Sequence, residues 1–258
     1  MTPLRLALLG AAAAFALAAC TPAATRSAPI TDGEALLRAM HDRYAGRWYN
    51  TLSFTQRTTR RLPNDSVRVE TWQEYGGIPG RLRIETGPRA AGNGVIYAND
   101  SVDAVRGGRV VARRAQRNSL MVLGFDIYAQ PVERSAQILR EEGFPLNPVR
   151  METYQGRPTY VVGGAPGDLH SRQFWVDAER LVYVRSFEPF PGDTTKTMEV
   201  HFDGYQPFGG GWVSTVVDIL VDGRSVQKEE YSDVRVNVPL DPALWIPERW
   251  SDAPHPAP

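Results

Sequence analysis

The sequence predicts a mainly β, α+β domain, built as a curved or partly closed antiparallel sheet wrapped around helical elements. Three observations predict it. Short segments that alternate apolar and polar residues recur through most of the 258 residues, separated by turns rich in Gly and Asp. One amphipathic helix precedes them. One apolar, non-alternating stretch interrupts them half-way.

The opening helix is signalled by Thr31-Asp32-Gly33-Glu34, which offers an N-cap with acids in the first turn. Thr31 and Glu34 also have the spacing of a capping box. Leu36, Leu37, Met40, Tyr44 and Trp48 follow at helical spacing, and the helix is expected to end near Gly46 or Tyr49. Strands are expected at 52–59, at 67–75 and at 81–85. In 67–75, Val67, Val69 and Thr71 alternate with Arg68, Glu70 and Trp72; in 81–85, charged and aliphatic residues alternate throughout. The next strands are 92–98 and 101–114, the latter turning at Gly107-Gly108. Later come 150–154, 159–163, 172–176, 181–187, 197–205, 212–221 and 226–236. Asp177 to Arg180 reads as a hairpin link, and Asp222-Gly223 is a strong hairpin turn signal.

The interruption is Asn118 to Ala129, apolar on all sides. Pro131 to Gly143 follows, with Pro at a helix start, Gly at its end and Val132, Ala136 and Leu139 on one stripe. A greasy helical insert therefore breaks the meander.

Composition excludes several classes. Lys+Arg and Asp+Glu both number 29, a balance that disfavours nucleic-acid binding and polybasic membrane binding. A single Cys excludes an internal disulfide and a Cys-based zinc site.

That Cys has an address. Arg5 precedes an uncharged run from Leu6 to Ala19, too short for a comfortable membrane span and suited to a signal peptide. Leu17-Ala18-Ala19-Cys20 resembles the bacterial lipoprotein processing box. The resemblance implies cleavage before Cys20 and acylation of that residue, hence a firm membrane anchor. Thr21, where a retained protein would carry Asp, implies the outer membrane, facing the periplasm. The expected organisation is a leader (1–19), lipidated Cys20 with a tether (20–31), one domain (32–250) and a disordered, Pro-rich tail (251–258).

Four stretches, in this order, carry a wider resemblance: Ser53-Phe54-Thr55-Gln56 after the opening helix; Pro79-Gly80-Arg81-Leu82-Arg83 at a strand start; the aromatic hairpin from Arg172 to Arg185; and the closing run from Tyr231 to Asp241. Over roughly residues 33 to 247 the chain resembles the LolA/LolB-type lipoprotein-sorting superfamily, as a lipidated member. The resemblance implies a strongly curved antiparallel half-barrel with an N-terminal helix and a helical plug or lid. Fold does not fix function, because that superfamily includes lipoprotein carriers, glycolipid carriers and stress sensors.

No catalytic chemistry is legible. His41, His170, His201 and His255 form no metal-binding spacing; Asp168 with His170 and His201 with Asp203 each supply two ligands on an expected strand face, one short of a site. No nucleophile elbow and no phosphate loop is present, so no enzyme activity, cofactor or metal is expected. Arg57, Arg60 and Arg61 read as a solvated face, with an anionic headgroup or partner contact as the alternative. Gly209-Gly210-Gly211 reads as a bend in the sheet rather than an anion cradle.

A half-barrel must cover its hollow side, because large exposed apolar surfaces are unfavourable. The insert is the natural cover. If mobile, it is a lid over an acyl-chain cavity, with Gly124 supplying backbone freedom and Met121 a deformable contact; if fixed, it completes a packed core. The candidate ligand-binding residues are Phe54, Leu82, Ile84, Leu120, Met121, Leu123, Phe125 and Trp175. The expected partners are the membrane, through the N-terminal anchor, and a lipid or acyl-chain ligand. The alternative is a non-catalytic scaffold or sensor with a filled interior that binds an envelope protein.

Overall fold

The computed structural model describes residues 29–256. The leader, Cys20 and most of the tether lie outside the described residues. Helix α1 (Gly33–Tyr44) starts one residue later than a Thr31 cap would place it. The Asp32 carboxylate accepts the Ala35 amide at 2.8 Å, and Thr31 donates its hydroxyl to Asp32 instead. Leu36, Leu37, Met40 and Tyr44 form its buried stripe. It ends before Trp48 because Gly46 turns left-handed, at φ +69°.

The first meander is β1 (Thr51–Arg61), β2 (Val67–Gly77), β3 (Arg81–Thr86), β4 (Gly94–Ala98), β5 (Ser101–Arg106) and β6 (Arg109–Ala115). The insert follows as α2 (Ser119–Gly124), a 3-10 turn (Asp126–Tyr128) and α3 (Val132–Glu141). The second meander is β7 (Val149–Tyr154), β8 (Arg157–Gly163), β9 (Gln173–Asp177), β10 (Tyr183–Pro189) and β11 (Thr197–Asp203). The chain then runs through β12 (Gln206–Phe208), β13 (Gly211–Val213), β14 (Val216–Val221) and β15 (Arg224–Val236).

Thirteen of these strands make one antiparallel sheet in the order β6-β5-β4-β3-β2-β1-β15-β14-β11-β10-β9-β8-β7, and it does not close into a barrel. The first and last strands, β1 and β15, are neighbours in its middle. The two edges are β6 and β7, and the insert is the segment that joins them. It must therefore cross from edge to edge. It crosses on the hollow side, where α2, α3 and α1 pack with Leu52, Phe54, Phe174, Val176, Val200 and Phe202 in one buried cluster. The curved sheet with its helical insert is the architecture expected from the sequence.

Turn chemistry sets the hairpins locally. Asp222 and Gly223 both take positive φ (+50° and +73°), the geometry of a tight β14–β15 turn. At the β9–β10 link the Asp177 carboxylate accepts the Glu179 and Arg180 amides.

Three expectations are corrected here. The stretch 212–221 is two strands, not one, divided at Ser214-Thr215, whose hydroxyls bond the Asp203 and Gly204 carbonyls at 2.8 Å. Gly209 and Gly210 form the turn of the small β12–β13 hairpin and Gly211 opens β13, packed on the chain after α1. A Cβ on Gly211 would lie 2.5 Å from the Trp48 ring, so the glycines permit close approach. The segment 251–256 packs on the sheet instead of trailing as a disordered tail. Ala253 is buried, and His255 bonds Glu85 at 2.7 Å on the outer face of β3.

That outer contact is built around Arg83, which is fully buried. Its guanidinium lies 3.8 Å over the Trp250 ring, donates to the Trp250 carbonyl at 2.8 Å and pairs with Glu85. Glu85 in turn holds His255. The C-terminal segment is thereby latched to the convex face by a charged, fully enclosed cluster.

Candidate ligand cavity

Strand register decides which side chains share the hollow face, because residues directly opposite in an antiparallel pair point the same way. Across β1, β2, β3 and β4, Phe54 lies opposite Glu74 and Glu74 opposite Ile84. Leu52 lies opposite Gly76, Gly76 opposite Leu82, and Leu82 opposite Tyr97. On the other side of β1, Gln56 lies opposite Tyr231, Glu229 opposite Val217, and Val217 opposite Phe202. These rows, Gln56 excepted, form the floor of a cavity of about 270 Å³. Leu120, Met121 and Phe125 form its roof. Helix α2 holds that roof in place, its N-terminus capped by the Asn118 side chain, which accepts the Leu120 amide at 3.0 Å.

A larger hollow of about 400 Å³ adjoins it. Tyr97, Asn118 and Met121 line both, so the two are separated by the first turn of α2. The second hollow carries several charged side chains among its apolar ones. Arg81, Arg117 and Arg134 reach it, with Asp100 bonded to both Arg117 and Arg134. Its buried acid is Asp126. Its carboxylate accepts the Gly80 amide at 2.9 Å, yet burial pushes its pKa up to about 7.

Two more acids occupy the apolar cavity itself. Glu229 of β15 accepts from Gln227 at 2.6 Å and from the Tyr231 hydroxyl at 2.8 Å. Burial still raises its pKa, and those hydrogen bonds offset it only in part. Glu74 of β2 is 5% exposed and lines the same space. Burial drives its pKa well above the usual carboxylate range, and the nearby Glu229 adds to the effect. The cavity is greasy on most sides and carries an acid pair in its floor.

Solved structures of similar shape exist. A domain named as an outer membrane lipoprotein-sorting protein, from Vibrio parahaemolyticus, superposes at a TM-score of 0.53 with 12% identity, covering 85% of this chain and 98% of its own. A DUF1329 family protein from Desulfovibrio piger does so at 0.53 with 14% identity, covering 83% and 95%. A LolA superfamily protein from Nitrosomonas europaea stands at 0.49 with 11% identity, covering 79% and 94%. The fold is LolA/LolB-like. No family model matches the chain, and no curated protein does.

Within this LolA/LolB-like half-barrel, six of the eight residues nominated from the sequence come together around the cavity: Phe54, Leu82, Ile84, Leu120, Met121 and Phe125. Two do not. Leu123 is fully buried, on the side of α2 that faces the helical core. Trp175 points to the opposite face of the sheet, because β9 alternates and its hollow-side residues are Phe174 and Val176. There Trp175 packs with Val161 and Phe187, and with Tyr154 and Phe187 it encloses the Arg185 guanidinium at 4.3 to 5.0 Å from each ring.

The cavity's polar residues escaped sequence reading. Trp72, Glu74, Glu229 and Tyr231 all line it. A signal existed: Glu74 shares strand parity with Trp72, and Glu229 with Tyr231, so each acid had to face the same side as an aromatic.

The histidines lie elsewhere. His201 pairs with Glu199, not Asp203, and His170 contacts Thr197 at 2.6 Å from a turn that Asp168 caps, not from a strand face. Among the described residues no group of three His, Cys, Asp or Glu is arranged to hold a metal ion. Arg57 and Arg60 are paired with Glu230 and Glu70.

Proposed function

We propose that this chain is a lipid-anchored cell-envelope protein that holds an apolar ligand, a lipid or the acyl chains of a lipoprotein, and catalyses no reaction. The observation that carries the reading is the hollow between the sheet and α2, walled by Phe54, Leu82, Ile84, Leu120, Phe125, Val217 and Ile219. Burying about eight methylenes there, at about 0.8 kcal/mol each, contributes about 6 kcal/mol. That corresponds to a dissociation constant between about 1 mM and 1 μM, tight enough to load and weak enough to release. The Leu17 to Cys20 box supports anchoring at Cys20. The sorting function named for the similar Vibrio parahaemolyticus domain supports an envelope location and hand-over as the task. The alternative, a scaffold with a filled interior docking an envelope protein, is disfavoured by the hollow itself.

The test is uptake of diphenylhexatriene, a neutral hydrocarbon dye, together with native mass spectrometry for co-purified lipid. Ile84→Trp fills the cavity from its floor. The expected result is dye uptake by the wild type and at least about tenfold weaker uptake by the variant, at an unchanged melting temperature. A wild-type protein that takes up no dye and carries no lipid overturns the reading.

A further inference from the structure

Among the described residues, no side chain of opposite charge pairs with the two acids in the cavity floor. Among the described residues, no hydrogen bond or ion pair reaches the Glu74 carboxyl, which is nine-tenths buried and lines the cavity. Beside it on β2, the Trp72 indole N–H is buried without an acceptor. Glu229, across β1, takes its hydrogen bonds from neutral donors, Gln227 and Tyr231. Arg60 lies over the Trp72 ring at 5.4 Å, but its guanidinium is committed to Glu70. Buried carboxyls are ordinarily paired or replaced by apolar residues, because an unpaired one is costly. Here two acids share a cavity whose lining, among the described residues, holds no Lys or Arg.

What would complete the site follows from this chemistry. A ligand carboxylate or phosphate brings no positive charge to the pair and would be repelled by either acid once it ionises. A purely hydrocarbon ligand would leave Glu74 unsatisfied. A protonated amine supplies the missing donors and counter-charge, and the aromatic faces around it suit a cation: Trp72 on β2, and Phe54 stacked on Tyr231 at 4.0 Å. Resting on the carrier reading above, we infer that the cavity selects an amphiphile that pairs an apolar tail with a cationic amino group, held by Glu74 and Glu229.

The experiment displaces bound diphenylhexatriene with three twelve-carbon amphiphiles, dodecylamine, dodecanol and laurate, each below its micelle concentration, at pH 7. The expected order is amine tightest, alcohol about tenfold weaker, and laurate weakest. In Glu74→Gln and in Glu229→Gln, which keep side-chain shape, the amine should lose its advantage over the alcohol while the alcohol still binds. An amine that binds no better than the alcohol in the wild type overturns the inference and leaves the carrier reading intact. So does an advantage that survives in both variants. If neither the dye nor any of the three binds, the carrier reading fails and the amine site with it. The wild-type series stands as a test even if a variant does not fold.

Discussion

Gly124 of α2 lies against the ring of Phe202 on β11 so closely that a Cβ at this position would sit 2.9 Å from the ring edge. The glycine is there for approach. Its φ is not left-handed, so it does not supply the backbone freedom expected of a lid hinge. The contact holds the roof of the cavity down on the sheet, next to the edge-on pair of Phe125 and Phe202.

Gly124→Ala should therefore lift α2. Over-packing of this kind costs about 1–3 kcal/mol, and the roof residues Leu120, Met121 and Phe125 move with the helix. The expected outcome is a lower midpoint in urea with faster exchange of dye into and out of the cavity, measured by stopped-flow fluorescence. Unchanged stability and unchanged exchange would show that the contact does not hold the roof.

The outer latch predicts a large loss on truncation. Arg83→Ala removes the buried guanidinium from Glu85, leaving it to the exposed Arg89 and to His255, and removes the ring contact with Trp250, at a cost of about 2–4 kcal/mol. Urea denaturation measures it. The same cluster gives an acid limb. Burial works to raise the Glu85 pKa, but the His255 hydrogen bond and Arg83 outweigh it, so the folded value lies below the usual 4.5. A depressed carboxylate stabilises the fold above its unfolded pKa, and that contribution is lost as pH falls through the folded value. Stability should drop as pH falls below about 4.5, and Glu85→Gln should flatten that part of the curve.

Asp126 predicts the opposite slope. Its folded pKa of about 7 exceeds the ordinary 3.8, so the folded state holds the proton more tightly than the unfolded one. Stability from this group is full below pH 3.8 and declines as pH rises through 7. Asp126→Asn keeps an acceptor for the Gly80 amide and removes the titration. The variant should gain on the wild type by up to a few kcal/mol between pH 4 and pH 8, read from denaturation midpoints across that range. A variant whose stability follows the wild-type pH curve would rule this assignment out.

Much of the fold was legible because it is locally encoded. Alternation over 67–75 and 81–85, the Asp222-Gly223 turn and the Pro131 to Gly143 helix each depend on neighbours along the chain. The cavity was half legible for the same reason. Phe54, Leu82 and Ile84 are apolar residues on alternating strands, and Leu120, Met121 and Phe125 belong to a stretch too greasy for the surface. Trp175 failed because alternation in β9 defines two faces without saying which is hollow, and both are buried there.

By itself the sequence determined a β-meander interrupted by one apolar helical insert, since turn residues and side-chain periodicity act within a few residues. Only the tertiary structure decided that β15 lies beside β1, which brings Glu229 into the same cavity as Glu74. It also decided that the C-terminal segment covers Arg83 rather than trailing free. Those pairings join residues more than a hundred positions apart. They are chosen by the packing of the whole sheet around its helices, which no local pattern encodes.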